Sequence, residues 1–292
     1  LALLRSRAGL LPQCCSTAQQ TPHKRDKGEE EGAVWVGKTH KNISTPELVL
    51  TKTHCGGRCF GCSPEAALET SYSFRRKCAE AVERRILDNP ESLLKTRYPE
   101  SLVEKIVHIV RNPWDNVVAR FHHEAVNGRI NTTEFSNARE GFRDYCLNVV
   151  NPRHTKAEDD SVVLERQVLD SVRDIPCYSD FFRYAEWHNQ AFWAIQDMGI
   201  ESLTIYYEDY STRFHGVLKE LMDFLRLPQV SDPTPFTVGH TYRDYYTDDE
   251  RSRLKAVLHR ISSRTTWSYL QRYVSEVADP ANATLFPPFR AR

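Results

Sequence analysis

The chain has 292 residues, of which 40% are hydrophobic and 27% are charged, and its 39 basic and 39 acidic residues give a formal net charge of zero. This composition is typical of a folded globular protein and excludes a collagen-like or largely disordered chain, and no run approaches the ~18 consecutive apolar residues of a membrane-spanning helix. Because the charge is balanced, no overall field draws the protein to nucleic acid or to an anionic membrane, so any anion must be bound by a local cluster of basic residues.

The amino-terminal stretch has the weakest structural signals. Residues 1–11 predict a short amphipathic helix, a solvated charge run at 23–31 predicts an exposed loop, and we expect 1–47 to form a poorly structured segment. Residues 32–39 fit the literal phosphate-loop pattern G-x-x-x-x-G-K-T. That motif needs an apolar strand before it and a helix after it, whereas here a charged run precedes it and a polar stretch with a proline follows. We therefore interpret the match as a coincidence.

The first predicted buried strand is 48–52, a short apolar run that leads into Lys52-Thr53-His54. Lys52 and His54 are two residues apart, so in an extended segment both side chains point to the same side. A loop rich in cysteine and glycine follows, and we expect a long helix from about Pro64.

Three cysteines of this loop have a distinctive spacing. Cys55, Cys59 and Cys62 match the pattern that holds a four-iron cluster in radical S-adenosylmethionine enzymes, because three thiolates so spaced can bind one face of the cluster. The alternative is that these cysteines close a surface loop through disulfides with each other, with Cys78 or with another partner. The rest of the chain shows no regular eightfold βα rhythm, which favours the disulfide interpretation.

The clearest buried strand is 105–110, which is short and rich in β-branched residues. It ends at Arg111, and Asn112 can cap a helix whose first residue is Pro113. Asp115 lies in the first turn, where the positive end of the helix dipole favours a carboxylate. The sequence therefore predicts a strand, a loop and a helix, with an arginine at the carboxyl end of the strand.

Helices and one more strand follow along the chain. Two or three helices are expected within 134–198, and a strand at 203–207 ends at Glu208 and Asp209. The next helix has an apolar face and is stopped by a proline. Residues 247–250 form a capping box that begins the last predicted helix. The buried stripe of that helix is Leu254, Val257, Leu258 and Ile261.

This alternation of strands and helices predicts an α/β domain at 48–275 with a mainly parallel sheet, followed by a carboxyl-terminal tail at 276–292. In such sheets, ligands bind beyond the carboxyl ends of the strands. The side chains expected at the site are those that follow the predicted strands: Lys52-Thr53-His54, Arg111 and Glu208-Asp209.

Several segments together resemble the sulfotransferases that use 3′-phosphoadenosine-5′-phosphosulfate. Residues 50–54, L-T-K-T-H, resemble the K-T-H segment of that family, and 105–123 resemble its strand, R-N-P-x-D turn and helix. Residues 203–228 are similar to its later Y-E-D-L strand and F-L-x-L-P helix end. The resemblance covers roughly 48–260, and it implies a three-layer sandwich in which helices flank a mainly parallel central sheet, as in phosphate-loop NTPases.

The resemblance also implies roles for four residues. His54 would be the catalytic base, since its ordinary pKa of ~6.5 lies near working pH, and Lys52 would contact the sulfuryl group. Arg111 would grip the 3′-phosphate of the donor in bidentate fashion, and Arg243 would belong to a late basic segment that closes over the nucleotide. The donor is a co-substrate, the acceptor carries a hydroxyl group, and no metal is required.

Two departures from the family pattern stand out. The serine that usually follows the phosphate-binding arginine by eight residues is Ala119 here, so one hydroxyl contact must come from elsewhere. The 5′-phosphosulfate loop, a P-K-S-G-T-T-W-like turn, has no equivalent in 1–47, although residues 1–5 look like the helix that follows such a loop. We therefore expect the chain to start just downstream of that loop, and we expect this fragment to bind the donor poorly.

Cysteines and sequons bear on the compartment. The chain has eight cysteines and sequons at Asn42, Asn131 and Asn282, which favour the Golgi lumen or another secretory compartment. The lumenal branch of the family acts on glycans or proteins and carries an amino-terminal membrane anchor, which would lie in the missing segment. A cytoplasmic enzyme acting on phenols or steroids is the alternative for the compartment. For the function, the alternatives are a non-catalytic lumenal binding module with this fold and the iron–sulfur enzyme.

Overall fold

A computed structural model of the chain describes residues 2–5, 48–51, 53, 55, 70–84, 93–97, 99–155, 165–229, 231, 233 and 241–275. Several sequence predictions lie outside these residues. They are the phosphate-loop match at 32–39, the residues Lys52, His54, Cys59 and Cys62, the sequons at Asn42 and Asn282, and the tail at 276–292.

The strands form two sheets. The strands are β1 (Ala2–Arg5), β2 (Leu48–Thr51), β3 (Glu80–Arg84), β4 (Leu93–Arg97), β5 (Val103–Val110) and β6 (Glu201–Tyr206). The larger sheet has the order β2-β1-β5-β6, and β3 pairs with β4 in an antiparallel two-stranded sheet. Strands β5 and β6 are parallel, with Val110 opposite Tyr206, whereas β1 is antiparallel to both β2 and β5.

The prediction of a mainly parallel sheet is thus correct for β5 and β6 but wrong for the other described pairings. The amphipathic helix predicted for 1–11 is also wrong over Ala2–Arg5, which is strand β1. An isolated helix of that length is marginal in water, whereas as a strand these residues pair their backbone groups on both sides. Pairing with two neighbours therefore outweighs the helical pattern.

Most of the described chain between and after the strands is helical. The helices are α1 (Ser71–Cys78), α2 (Pro113–Val126), α3 (Arg139–Tyr145), α4 (Arg166–Asp170), α5 (Tyr178–Asp197), α6 (Asp209–Thr212), α7 (Phe214–Leu225), α8 (Asp248–Ile261) and α9 (Arg264–Val274). A π-helical turn occupies Cys146–Val150, and short 3₁₀ turns occupy Glu100–Leu102 and Arg243–Tyr245. Within the described ranges, no helix combines the length and the apolar character that a membrane crossing requires.

The predicted helix starts are confirmed in atomic detail. The Asn112 side chain accepts hydrogen bonds from the amides of Trp114 (3.0 Å) and Asp115 (3.3 Å), and Pro113 is the first residue of α2. Thr247 and Glu250 form both halves of the predicted capping box at the start of α8. The long helix expected from about Pro64 is present at Ser71–Cys78 but is wrong in its length beyond that point. Helix α1 has eight residues, because the chain continues into β3, whose pairing with β4 overrides helix propensity.

Helices cover both faces of the parallel strand pair. Successive side chains of a strand point to opposite faces. On one face, Val107 and Ile205 pack against Val217 and Leu225 of α7. On the other face, His108 contacts α5. The largest apolar cluster lies around α2, α3, α5, α8 and α9, and its fully buried members include Phe142, Tyr178, Phe181, Leu254 and Leu258.

Two disulfides lie within the described residues. Cys55 is bonded to Cys78 at the end of α1, and Cys146 is bonded to Cys177 just before α5. Cys55 therefore has no free thiolate to bind iron, and the iron–sulfur interpretation of its spacing is wrong for this residue. The pairing with Cys78 is one of the disulfide partners that the sequence left open.

Candidate functional site

Arg111 lies where the two parallel strands end. It directly follows β5, and its guanidinium carbon is 4.8 Å from the ring centroid of Tyr207, which directly follows β6. The Tyr207 amide donates to the Val110 carbonyl at 2.8 Å, so the ladder between the strands extends to this point. A cation over an aromatic face is stabilised by the ring quadrupole. The half-buried Arg111 side chain is therefore held in a defined direction at the carboxyl edge of the sheet.

The backbone next to Arg111 is fixed from three distant segments. The Tyr184 hydroxyl of α5 donates to the Arg111 carbonyl at 2.6 Å, and the Asn112 amide donates to Glu208 Oε1 at 2.8 Å. The other Glu208 oxygen accepts a hydrogen bond from the Tyr273 hydroxyl of α9. Burial raises the pKa of Tyr184, and burial with the hydrogen bond to Glu208 raises that of Tyr273. Both phenols therefore stay protonated and act as donors.

Asp115 connects this edge to the segment that carries Arg243. Its Oδ1 accepts the amide hydrogen of Tyr242 at 2.7 Å. Burial raises the pKa of Asp115, while this bond and the nearby Arg111 charge act in the opposite direction. Arg243 follows in the next turn, where its side chain is exposed and its carbonyl accepts a hydrogen bond from Arg251 at 2.7 Å. The structure thus brings the predicted late segment to the Arg111 edge through the backbone of Tyr242.

Arg111 opens onto a cavity of about 290 Å³ between β5, α2 and α5. Two other arginines line it, and Asp180 binds both, at 3.2 Å from Arg120 and 3.3 Å from Arg183. By contrast, no carboxylate of the described residues forms an ion pair with the Arg111 guanidinium. Of the three arginines that line this cavity, Arg111 therefore has the charge that ion pairs compensate least. It can attract an anion into the cavity.

A second cavity, of about 450 Å³, lies beside the first. The two cavities share Ile109 and Trp187 in their walls. Thr53 and Cys55 also line the second cavity, and the Cys55 amide donates to Thr53 Oγ1 at 3.1 Å. Lys52 and His54, the predicted catalytic pair, lie outside the described residues, so their positions stay a prediction. The residues on either side of position 54 nevertheless border this cavity.

A pair of buried histidines links the walls of the two cavities. His108 Nε2 lies 2.8 Å from His188 Nδ1, and the two residues are 4% and 5% exposed. His188 lines the first cavity and His108 the second. Burial lowers the pKa of His108 to about 3 and also lowers that of His188. Both rings are therefore neutral at physiological pH, and one donates its N–H to the other.

Sequence reasoning found some of these residues and missed others. It placed Arg111 and Glu208 after predicted strands, and the structure brings them together through Asn112. It missed Tyr184, which lies 73 residues from its partner in the chain, and the histidine pair, whose two members lie 80 residues apart. Their only local signal is a polar residue on an apolar strand or helix face. No group of three or more His, Cys, Asp or Glu side chains that could hold a metal occurs among the described residues.

Comparison with protein families gives one match. The family model described as "sulfotransferase domain" matches residues 68–275, which is well over half of the chain. A search of curated proteins and a search of solved structures each find no match.

Proposed function

We propose that this chain, which belongs to the sulfotransferase family, transfers a sulfuryl group from 3′-phosphoadenosine-5′-phosphosulfate to a hydroxyl acceptor. The observation that carries the proposal is Arg111. It is a guanidinium at the carboxyl edge of two parallel strands, held over Tyr207 and paired with no described carboxylate, beside a cavity of about 290 Å³. A planar, permanently charged fork of this kind suits the 3′-phosphate of the donor.

The chemical step assigns roles to the other predicted residues. His54 takes the proton of the acceptor hydroxyl, whose oxygen attacks sulfur as the bond from sulfur to the leaving phosphate oxygen breaks. The products are a sulfate ester and adenosine 3′,5′-bisphosphate. Lys52 stabilises the charge that grows on the leaving oxygen, and Arg243 closes over the nucleotide. Asn116 lines the first cavity and can supply a hydrogen bond in place of the hydroxyl missing at Ala119.

Two broader parts of the proposal concern fold and compartment. Helices on both faces of β5 and β6 support a three-layer sandwich for the domain. The Cys55–Cys78 and Cys146–Cys177 disulfides support a secretory compartment, because disulfides persist where the environment is oxidising.

The first experiment measures nucleotide binding by titration calorimetry. The protein should bind adenosine 3′,5′-bisphosphate more tightly than adenosine 5′-monophosphate, and Arg111→Gln should remove most of that difference. A charge-assisted hydrogen-bond contact is worth about 1.5–3 kcal/mol, which is roughly 10- to 150-fold in affinity. Arg120→Gln is the matched control, because Arg120 lines the same cavity but is paired with Asp180. A loss of selectivity in the control, with none in Arg111→Gln, would show the assignment to be wrong.

The second experiment separates an enzyme from a binding module. Transfer of ³⁵S from labelled donor to a hydroxyl acceptor is followed in a protein that also contains a 5′-phosphosulfate loop, either with His54 or with His54→Ala. We expect His54→Ala to abolish transfer and to leave the affinity for adenosine 3′,5′-bisphosphate unchanged. Transfer that survives the substitution would contradict the base assignment. Nucleotide binding without transfer in the loop-containing protein with His54 would favour the non-catalytic module.

A further inference from the structure

A third cavity, of about 40 Å³, lies between α2, the π-helical turn and α5. It borders the first cavity, because Arg120, Asp180 and Arg183 line both, whereas Arg111 lines the first and His154 the third. One water molecule needs at least ~10–15 Å³ of such space. The third cavity therefore has room for water or a monatomic ion, and not for a nucleotide.

The His154 ring offers a hydrogen-bond donor to this cavity. The residue is 2% exposed, and its Nε2 lies 3.1 Å from a guanidinium nitrogen of Arg183. Because an arginine nitrogen can only donate, Nε2 is the acceptor. Burial lowers the pKa of His154 to about 4, so at physiological pH the ring is neutral and carries its one hydrogen on Nδ1. Nδ1 is buried and has no hydrogen-bond partner among the described residues.

The segment that carries His154 is fixed against the residues before α5. The Cys146–Cys177 disulfide joins the π-helical turn to the residue that precedes α5. The side-chain amide of Asn151 donates to the Ile175 carbonyl at 2.7 Å. The Nδ1 donor is therefore held in place before a ligand arrives, which lowers the entropy lost on binding.

The charges around this donor favour an anion. Beyond the effect of burial, three guanidinium charges lower the pKa of the His154 ring, those of Arg183, Arg153 and Arg120. The charge of Asp180 acts in the opposite direction. Charges that are partly buried are screened by salt much less than exposed ones. The excess of positive charge at the ring therefore attracts an anion into the cavity.

A water molecule is the alternative occupant. It would accept the hydrogen of His154, but it would also have to direct its own two hydrogens at acceptors. The carboxylates of the described lining are already engaged, since two arginines bind Asp180 and Arg129 donates to Glu124 at 2.6 Å. A halide ion only accepts hydrogen bonds and so matches a lining rich in donors.

From these observations we propose that the third cavity binds one monatomic anion, chloride in solution, which accepts the Nδ1 hydrogen of His154 and is attracted by the three arginines around it. Arg153 is exposed, so the cavity can be reached from solvent on that side. This inference does not rest on the proposed sulfuryl transfer, because it involves neither Arg111 nor the donor or acceptor.

The test measures the ³⁵Cl NMR linewidth of chloride added to the full chain in a gluconate buffer. A bound chloride relaxes faster than a hydrated one, so we expect a saturable excess linewidth that bromide removes by competition. Absence of a saturable excess would overturn the proposal. This measurement uses the unaltered protein and so does not depend on the folding of a variant.

Variants of His154 identify the donor. His154→Phe should weaken chloride binding roughly tenfold or more, because a hydrogen bond to a charged group is lost. His154→Asn places an amide N–H near the position of Nδ1 and should recover most of the affinity. His259→Phe is the matched control, since this histidine is exposed on α8, and it should change nothing. Unchanged chloride affinity in His154→Phe would refute the assignment.

Crystals soaked in bromide then locate the ion. We expect an anomalous peak in the third cavity within hydrogen-bonding distance of His154 Nδ1. An ordered water there without anomalous signal, or bromide found only beside Arg111, would overturn the inference. Neither result alters the nucleotide selectivity expected of Arg111, so failure of this inference and failure of the proposed function are distinguishable.

Discussion

Glu250→Gln tests how far buried charge stabilises this domain. The Glu250 side chain is 8% exposed and receives two hydrogen bonds from Arg143, at 2.8 and 3.0 Å, and one from the Thr247 amide at 2.7 Å. Removing one partner of a buried ion pair costs about 3–5 kcal/mol. The side-chain amide oxygen of glutamine can still accept hydrogen bonds and so retains part of the stabilisation. We therefore expect the free energy of unfolding to fall by about 2–4 kcal/mol. For a domain of this size, that is a fall in Tm of roughly 4–16 °C.

The pH dependence gives an independent check. Burial alone would raise the pKa of Glu250, but hydrogen bonds from Arg143 and Thr247 outweigh it and the pKa is lowered. The stabilisation is therefore complete above the unfolded pKa of ~4.3 and is lost as the pH falls through the folded pKa. The difference in Tm between wild type and Glu250→Gln should be constant from pH 7 to pH 5 and should shrink below about pH 4.3.

The control is an ion pair with hydrogen bonds of similar length but greater exposure to solvent. Glu165 accepts from Arg260 at 2.7 and 2.9 Å, yet its side chain is 57% exposed. Glu165→Gln should cost no more than about 1 kcal/mol, because water screens the pair. Both variants are measured by differential scanning calorimetry from pH 3 to pH 7. An equal loss in the two variants, or a Glu250→Gln deficit that does not shrink at low pH, would refute the reasoning.

Three further variants test packing and cross-linking. Gly141→Ala should severely reduce Tm and soluble yield, because an added Cβ would overlap the backbone of Ser136, and a normal Tm would contradict the close approach. Gly216→Ala, at an exposed position of α7 where the nearest atom is 4.0 Å away, should instead raise the unfolding free energy by about 0.5–1 kcal/mol in urea titration. Cys146→Ala combined with Cys177→Ala should lower it by about 2–5 kcal/mol, and an unchanged midpoint would show that this disulfide does not stabilise the domain.

Local signals predicted the parts of the fold that are decided locally. The β-branched run at 105–110, the Asn112 cap and the capping box at Thr247 each depend on neighbours within four residues, and all three are present. Ala2–Arg5 was predicted wrongly because its conformation depends on strands about 47 and 100 residues away in the chain. Sequence periodicity carries no information about such partners.

The residues of the candidate site also fall into those that the sequence could predict and those that it could not. Arg111 and Glu208 could be predicted, because each follows a recognisable strand and the carboxyl ends of parallel strands meet at one edge. His108 and His188 could not, because one histidine in a strand and another in a helix give no sign that their rings are 2.8 Å apart. The ion pairs of Arg75 with Glu100 and Asp197, beside the second cavity, likewise form only in the tertiary structure.

The supports of Arg111 also have a consequence for the order of folding. Three contacts near Arg111 and Asn112 come from distant parts of the chain. Tyr184 contacts Arg111 from 73 residues away, and Glu208 contacts Asn112 from 96 residues away. Tyr273 contacts the neighbouring Val110 from 163 residues away. Contacts that close such long loops form slowly, because the loop entropy must be overcome before they stabilise anything. The arginine should therefore reach its final geometry late in folding. During refolding, affinity for a phosphorylated nucleotide should appear after helical circular dichroism has recovered.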